Sequence, residues 1–390
     1  MFPHFKSPAS NIPLGCALQL SFSLHQNLGG ELRSSRMPSE SLDVHDFVVN
    51  KGHGVRGLSA MGLRKVPNQY VQPLEERLDA AKVINDESIP IIDVSNWDDQ
   101  NVADSICEAA KKYGFFQLIN HEIPEEVLDE VQAAAHRFFE QPTEEKVKYK
   151  RDPTAGGSAK LGTSFSPNKE KVMEWKDYLS LQYFAGDGLS DKNAADWPSI
   201  CKTQALEYLT MVQAIVRKIY DALFKGLNVN GFDKSLLMAW IAVNFNYYPY
   251  CPNPELTVGV GRHSDGSALT VLLQDDVGGL FVRAPDGESW IHVPPTRGAL
   301  VINIGDMIQI LSNGIYKSIE HKVVANPWKN RVSIAIFVNP AADQVVGPLL
   351  EVLKNTGEKP LYREIVFLEY FRYYFSKGHD GKATIEWAKI

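Results

Sequence analysis

The hydrophobic positions change period once along the chain, near Ala239. Before it they recur at helical spacing. Asp98 to Tyr113 sets Val102, Ile106, Ala109 and Tyr113 on one face, and Gly114 follows as a stop. Pro124 opens a second helix with Val127, Val131, Ala134 and Phe138 on its buried side, and Pro142 lies just beyond. A long helix is predicted from about Gln204 to Lys225, striped by Leu209, Val212, Val216, Ile219 and Leu223 and ended by Gly226. The runs IPIIDVS (89–95) and FFQLIN (115–120) read as strands.

After Ala239 the period drops to two. AVNFNYY, LTVGVGR, ALTVLLQ, LFVR, WIHV, ALVINI, YKSIEHKVV and RVSIAIFV follow one another as short strands. Asp286-Gly287 and Asn313-Gly314 are hairpin dipeptides. The expected fold class is α+β: a double-stranded β-helix, or jelly roll, with an N-terminal helix-rich region packed around it. The expected boundaries are a helical region over 45–235, a jelly-roll core over 236–345 and a helical tail over 346–390.

Residues 1–44 are rich in Ser and Pro, with no acidic residue before Glu31. We expect an extension outside the fold, with Met37 as an alternative initiator. Ser-rich, acid-poor composition also suits a plastid transit peptide, but arginines are few and no amphipathic helix stands out. Otherwise the cytoplasm is expected.

Composition narrows the partners. Of 390 residues, 44% are hydrophobic and 22% charged, as in an ordinary globular protein. A net charge of -7 argues against nucleic acid as the main partner. No apolar run approaches the roughly 18 residues of a membrane span. The four cysteines are far apart and form no CxxC pair, so neither a zinc knuckle nor a disulfide framework is expected. A monomer is expected.

The chemistry starts at VGRHSDGSALTVLLQ (260–274). On a strand, His263 and Asp265 share a side and Ser264 faces away. One imidazole and one carboxylate supply two metal ligands, and a third must come from elsewhere. His321 is favoured, because alternation with Ile319 and Val323 sets it on an inward, apolar face where a polar group needs a partner. His292 is the competitor, read instead as a structural histidine. Two histidines and one carboxylate make the facial triad of non-haem iron(II) oxygenases, although zinc accepts the same donors.

NRVSIAIF separates these readings. Arg331 and Ser333 lie two apart on a strand, and an inward guanidinium in an apolar barrel demands an anion. A small-molecule carboxylate fits, with Tyr248 adding a contact from across the barrel. A salt bridge to a protein carboxylate is the plainer alternative.

HSD (263–265), His321 and RVS (331–333) together resemble the plant 2-oxoglutarate- and Fe(II)-dependent dioxygenases. NYYPYCPNPE (246–255), VINIGD (301–306) and SNGIYKSIEH (312–321) share the resemblance, which covers the chain from about Asp46 onward. Within that family DFVVNKGHGVRGLS (46–59), EWKDYLSL (174–181) and GHDGKATIEWAKI (378–390) look most like feruloyl-CoA ortho-hydroxylases. Scopoletin 8-hydroxylases are similar too. The chain departs from the pattern at Glu122, where the family has Gly, at Lys160-Leu161, where it has Arg-Phe, and at Ala335, where it has Pro.

The resemblance implies that His263, Asp265 and His321 are the catalytic iron ligands. It implies that Tyr248, Arg331, Ser333 and Asn246 hold 2-oxoglutarate, and that ascorbate supports activity. The implied reaction uses O2 to hydroxylate an aromatic ring, most simply that of feruloyl-CoA on the way to scopoletin. Phe165 and Phe337 would stack on the ring, with core packing as the plainer reading for each. Lys160, Lys169, Lys171 and the run Lys146–Arg151 would face the phosphates, unless they are only a solvated surface. The competing functions are another hydroxylase or a desaturase of the same fold, a non-catalytic jelly-roll binder, and a zinc hydrolase.

Overall fold

The computed structural model describes residues 42–84, 88–150, 157–184 and 193–390. The expected extension lies outside the described residues up to Ser41. Val44, at its end, is buried together with Val48, Val55 and Leu58.

Among the described residues, a short pair, Val345–Val346 with Ile365–Val366, forms a small sheet, and thirteen further strands form two large ones. In chain order they are β1 (Val83–Ile84), β2 (Ile91–Asp93), β3 (Phe115–Ile119), β4 (Ala159–Thr163), β5 (Asp177–Phe184), β6 (Trp240–Tyr248) and β7 (Val260–His263). Then come β8 (Leu269–Gln274), β9 (Leu280–Arg283), β10 (Trp290–Val293), β11 (Leu300–Ile304), β12 (His321–Val323) and β13 (Arg331–Asn339). One sheet runs β1-β10-β9-β12-β7, and the other β2-β3-β11-β8-β13-β6-β5-β4. The sequence-order jumps between neighbouring strands are those of a jelly roll, and β6 to β13 are the eight strands expected after Ala239.

Alternation divides the faces of the larger sheet. On β13, Val332, Ile334, Ile336 and Val338 join the main core, with Val243 and Phe245 of β6 and the helices Gln100–Lys112, Glu125–Glu140 and Ser199–Gly226. Each such fully buried side chain contributes roughly 1.5–3 kcal/mol. The opposite residues, Arg331, Ser333, Ala335 and Phe337, turn into the space between the sheets. A one-residue slip would exchange the two sets, so the buried helix layer fixes the register.

Two differences from the expected elements have local causes. The long helix starts at Ser199, because the Pro198 carbonyl accepts from the N–H groups of Cys201 and Lys202 one turn before the apolar stripe is legible. The segment YKSIEHKVV forms a strand only from His321. Upstream, the N–H of Tyr316 bonds Ser312, that of Lys317 bonds the Ala110 carbonyl, and that of Ser318 bonds Gln309. Those donors are therefore lost to the ladder. Gly114 ends its helix as expected, at φ +61°, with the Lys317 carbonyl against the position a Cβ would take.

Glu122 has φ +71°. That left-handed conformation costs an L-residue roughly 1–2 kcal/mol and glycine little. The surface ion pair to Lys218, at 2.8 Å, returns less than that. Glu122→Gly is expected to raise stability by about 1 kcal/mol, offset in part by unfolded-chain entropy. A fall in melting temperature would contradict this.

Candidate active site

β7 and β12 pair with His263 opposite His321. After His263 the chain leaves the sheet. The N–H of Ser264 bonds the Gly381 carbonyl, and the Asp265 carbonyl accepts from the N–H of Asp306. Asp265 therefore lies in a loop and not on a strand as expected. Ser264 turns away from the two imidazoles and is buried, with its hydroxyl toward Asp306. The loop still brings Asp265 to both imidazoles. Its Oδ1 lies 3.4 Å from His263 Nε2 and 3.7 Å from His321 Nε2.

Surrounding groups leave three donor atoms facing one another. Nδ1 of His263 bonds the Gly261 carbonyl at 2.8 Å, and Nδ1 of His321 bonds the Ile319 carbonyl at 3.2 Å. A proton on each Nδ1 leaves Nε2 as a free lone pair. Oδ2 of Asp265 accepts from Thr270 Oγ1 at 2.6 Å and Asn303 Nδ2 at 2.7 Å, which leaves Oδ1. Among the described residues these three form the one cluster of such groups able to hold a metal, with ligand atoms within 4.8 Å of one another.

The protonation states suit that use. Burial and the neighbouring imidazole push His321 down to about 4, and burial with His379 lowers His263. Burial alone would raise Asp265, but the two imidazoles and Thr270 hold it well below the usual carboxylate range. Two neutral imidazoles and a carboxylate are the ligand forms.

A second group lies on the same sheet face. Arg331 pairs across the sheet with Tyr248, and Ser333 with Asn246. Arg331 is 1% exposed. Its guanidinium donates to Ser333 Oγ at 3.2 Å and Gln274 Oε1 at 3.3 Å, and its Nε has no partner. Tyr248 offers the face of its ring, 5.0 Å from the guanidinium carbon. Among the described residues no carboxylate lies within ion-pair distance of Arg331. A buried cation with an unpartnered N–H fits a small anion from outside the chain.

Both groups open into one cavity of about 620 Å³, within the range of small-molecule sites. Phe165, Phe337 and Lys160 line it, as do Ala335 and Lys169. Lys146 does not; its ammonium is buried against the Phe139 carbonyl. Lys171 is not a lining residue either, and Arg151 lies outside the described residues. His292 stands apart beside Phe281.

Sequence reading missed Lys176, Arg372, Phe375 and His379, which also line the cavity. It set His379 aside as part of the tail, because only the fold shows that the tail returns to β7. Asn303 was legible as the polar residue that interrupts the apolar VINI of β11.

Beside the cavity, burial and the Glu174 carboxylate push Glu170 up to about 7. Between roughly pH 4.5 and 7 the folded protein binds a proton that the unfolded chain has released, so folding stability falls as pH rises through that window. Glu170→Gln is expected to flatten the decline, by no more than about 1.4 kcal/mol per pH unit. Denaturant titrations from pH 5 to 8 with equal slopes in both proteins would contradict this.

Comparison with known proteins agrees with the geometry. The model described as the 2OG-Fe(II) oxygenase superfamily matches residues 241–340. The model described as the non-haem dioxygenase in morphine synthesis N-terminal matches residues 89–200. A bi-functional coumaroyl CoA and feruloyl CoA ortho-hydroxylase of Ipomoea batatas is 53% identical over 91% of this chain and all of its own length. Feruloyl CoA ortho-hydroxylase 1 of Arabidopsis thaliana is 53% identical over 90% of this chain and 97% of its own. The crystal structure of JOX2 in complex with 2OG, Fe and JA superposes with a TM-score of 0.76 at 33% identity, covering 86% of this chain and 97% of that one. With this fold and these relatives, the chain belongs to the 2OG-Fe(II) oxygenase superfamily, as a plant-type Fe(II)- and 2-oxoglutarate-dependent dioxygenase.

Proposed function

We propose that the protein hydroxylates the aromatic ring of a hydroxycinnamoyl-CoA thioester, ortho to the side chain, with feruloyl-CoA as its first substrate. The observation that carries this is one cavity with three zones: the His263, Asp265 and His321 cluster, the Arg331 anion pocket, and a cationic rim. Lys160, Lys169 and Arg372 stand on the rim, and among the described residues none of them has a carboxylate within ion-pair distance. An aromatic ring joined to a polyphosphate suits this arrangement, and the relatives named for coumaroyl and feruloyl CoA support it.

Fe(II) with 2-oxoglutarate supplies the oxidising power that puts one atom of O2 into the ring and releases succinate and CO2. His263, Asp265 and His321 would hold the iron. Arg331 and Ser333 would fix the far carboxylate of 2-oxoglutarate, with the Tyr248 ring and Asn246 closing that end. Phe337 would pack on the substrate ring, whereas Phe165, already stacked on His379 and Phe375, would meet it with a ring edge at most and help exclude water. The carbonyls of Gly261 and Ile319 keep each Nδ1 proton in place, so each Nε2 stays a donor. Two departures from the family pattern, Lys160 and Ala335, line the cavity, so they bear on substrate choice.

The test incubates the pure protein with Fe(II), ascorbate and 2-oxoglutarate against feruloyl-CoA, p-coumaroyl-CoA, their free acids and scopoletin, with products read by mass. The thioesters are expected to gain one oxygen and the free acids none. Hydroxylation of scopoletin but not of the thioesters would overturn the assignment.

A further inference from the structure

The C-terminal tail is woven into the metal cluster. Gly381 forms a parallel bridge to His263, and its N–H bonds the Arg262 carbonyl at 2.9 Å. Its φ is +71°, and a Cβ there would collide with the Glu320 carboxylate and the Arg262 guanidinium, so the close approach needs glycine. Nearer the cavity, the Tyr374 hydroxyl donates to the Ser264 carbonyl at 3.1 Å.

Between these anchors His379 lies nearly flat on His263, with ring centroids 4.2 Å apart and planes at 21°. Its opposite face stacks on Phe165 at 3.9 Å. Its Nδ1 bonds Glu174 Oε1 at 2.5 Å. The same oxygen accepts from the N–H of Gly261 at 2.7 Å, and the Gly261 carbonyl holds Nδ1 of His263. Glu174 is 3% exposed and paired with Lys176 at 3.1 Å. One buried carboxylate thus ties down both the ring on top of His263 and the backbone that orients it.

We propose that His379 is a positioning residue of the metal centre. Clamped between Phe165 and His263 and tethered by Glu174, it fixes the ring plane of His263 with Nε2 toward the shared donor point. The bond at Nδ1 alone leaves the ring free to tilt about that bond, and the last torsion of histidine is broad. A flat neighbour on the ring face removes that freedom, so less ordering remains to be done when metal arrives. The proposal rests on His263 being an iron ligand.

The test titrates Fe(II) anaerobically into the full-length apoprotein, with thermal unfolding of each apoprotein in parallel. The proteins are wild type, His379→Ala, His379→Leu, His379→Phe and His263→Ala. His379→Ala and His379→Leu are expected to bind Fe(II) about 10–100-fold more weakly, and His379→Phe, which keeps the stack without the Glu174 bond, within about threefold of wild type. Where the alanine variant fails to fold, the leucine variant, which fills the space without a ring, stands in for it. Wild-type affinity in the ring-less variant would overturn the proposal, as would equal losses in the leucine and phenylalanine variants. A His263→Ala protein that binds Fe(II) like wild type would instead overturn the ligand assignment, which keeps the two failures apart.

Discussion

Replacement of His263 by alanine is expected to abolish Fe(II) binding and substrate-dependent succinate formation together. Three donors face one point, and each is held there by a separate bond: Gly261 on His263, Ile319 on His321, and Thr270 with Asn303 on Asp265. Losing an outer partner of such a site costs about 10–100-fold, so losing a ligand costs more than two orders of magnitude. Folding should survive. His263 is the last residue of β7, and the variant removes one of two imidazoles whose ring centroids lie 4.2 Å apart. A folded His263→Ala enzyme with full activity would contradict the assignment of this cluster.

Arg331→Leu is expected to raise the KM for 2-oxoglutarate on the order of 10²-fold or more and to leave the Fe(II) requirement unchanged. Charge-assisted hydrogen bonds contribute about 1.5–3 kcal/mol each, and a guanidinium supplies two to a carboxylate. The cation is almost wholly buried, its Nε has no partner, and among the described residues no carboxylate is in ion-pair contact with it, although Asp275 feels its charge, so the apoprotein bears much of its desolvation. Leucine relieves that strain, and the melting temperature of the apoprotein should hold or rise. The variant thus separates binding from folding. An unchanged cosubstrate KM would remove Arg331 from the anion pocket.

Much of this site was legible because the strands alternate. RVSIAIFV names its own two faces, so Arg331 and Ser333 can be placed on the inner one before any fold is known. HSD was legible for a less secure reason. The i, i+2 rule assumes a strand, whereas Asp265 reaches the cluster from a loop, steered by the backbone bonds of Ser264 to the tail and of Asp265 to Asp306. The part that stayed hidden depends on contacts far apart in sequence. His379 meets His263 across more than a hundred residues, and its partner Glu174 comes from a third region. No local period records such a meeting. Arg372 was missed for the same reason. It lies on the helix Phe367–Tyr374, which reads as one more amphipathic tail until the fold lays it on the cavity rim.

No helix among the described residues is long and apolar enough to cross a membrane.

The most direct test of the central claim is a single turnover assay of the full-length protein with Fe(II), 2-oxoglutarate, feruloyl-CoA and ¹⁸O₂. One labelled oxygen should enter the thioester product, with succinate formed in equal amount and only when the thioester is present. An unlabelled product, or succinate formed at the same rate without feruloyl-CoA, would contradict it.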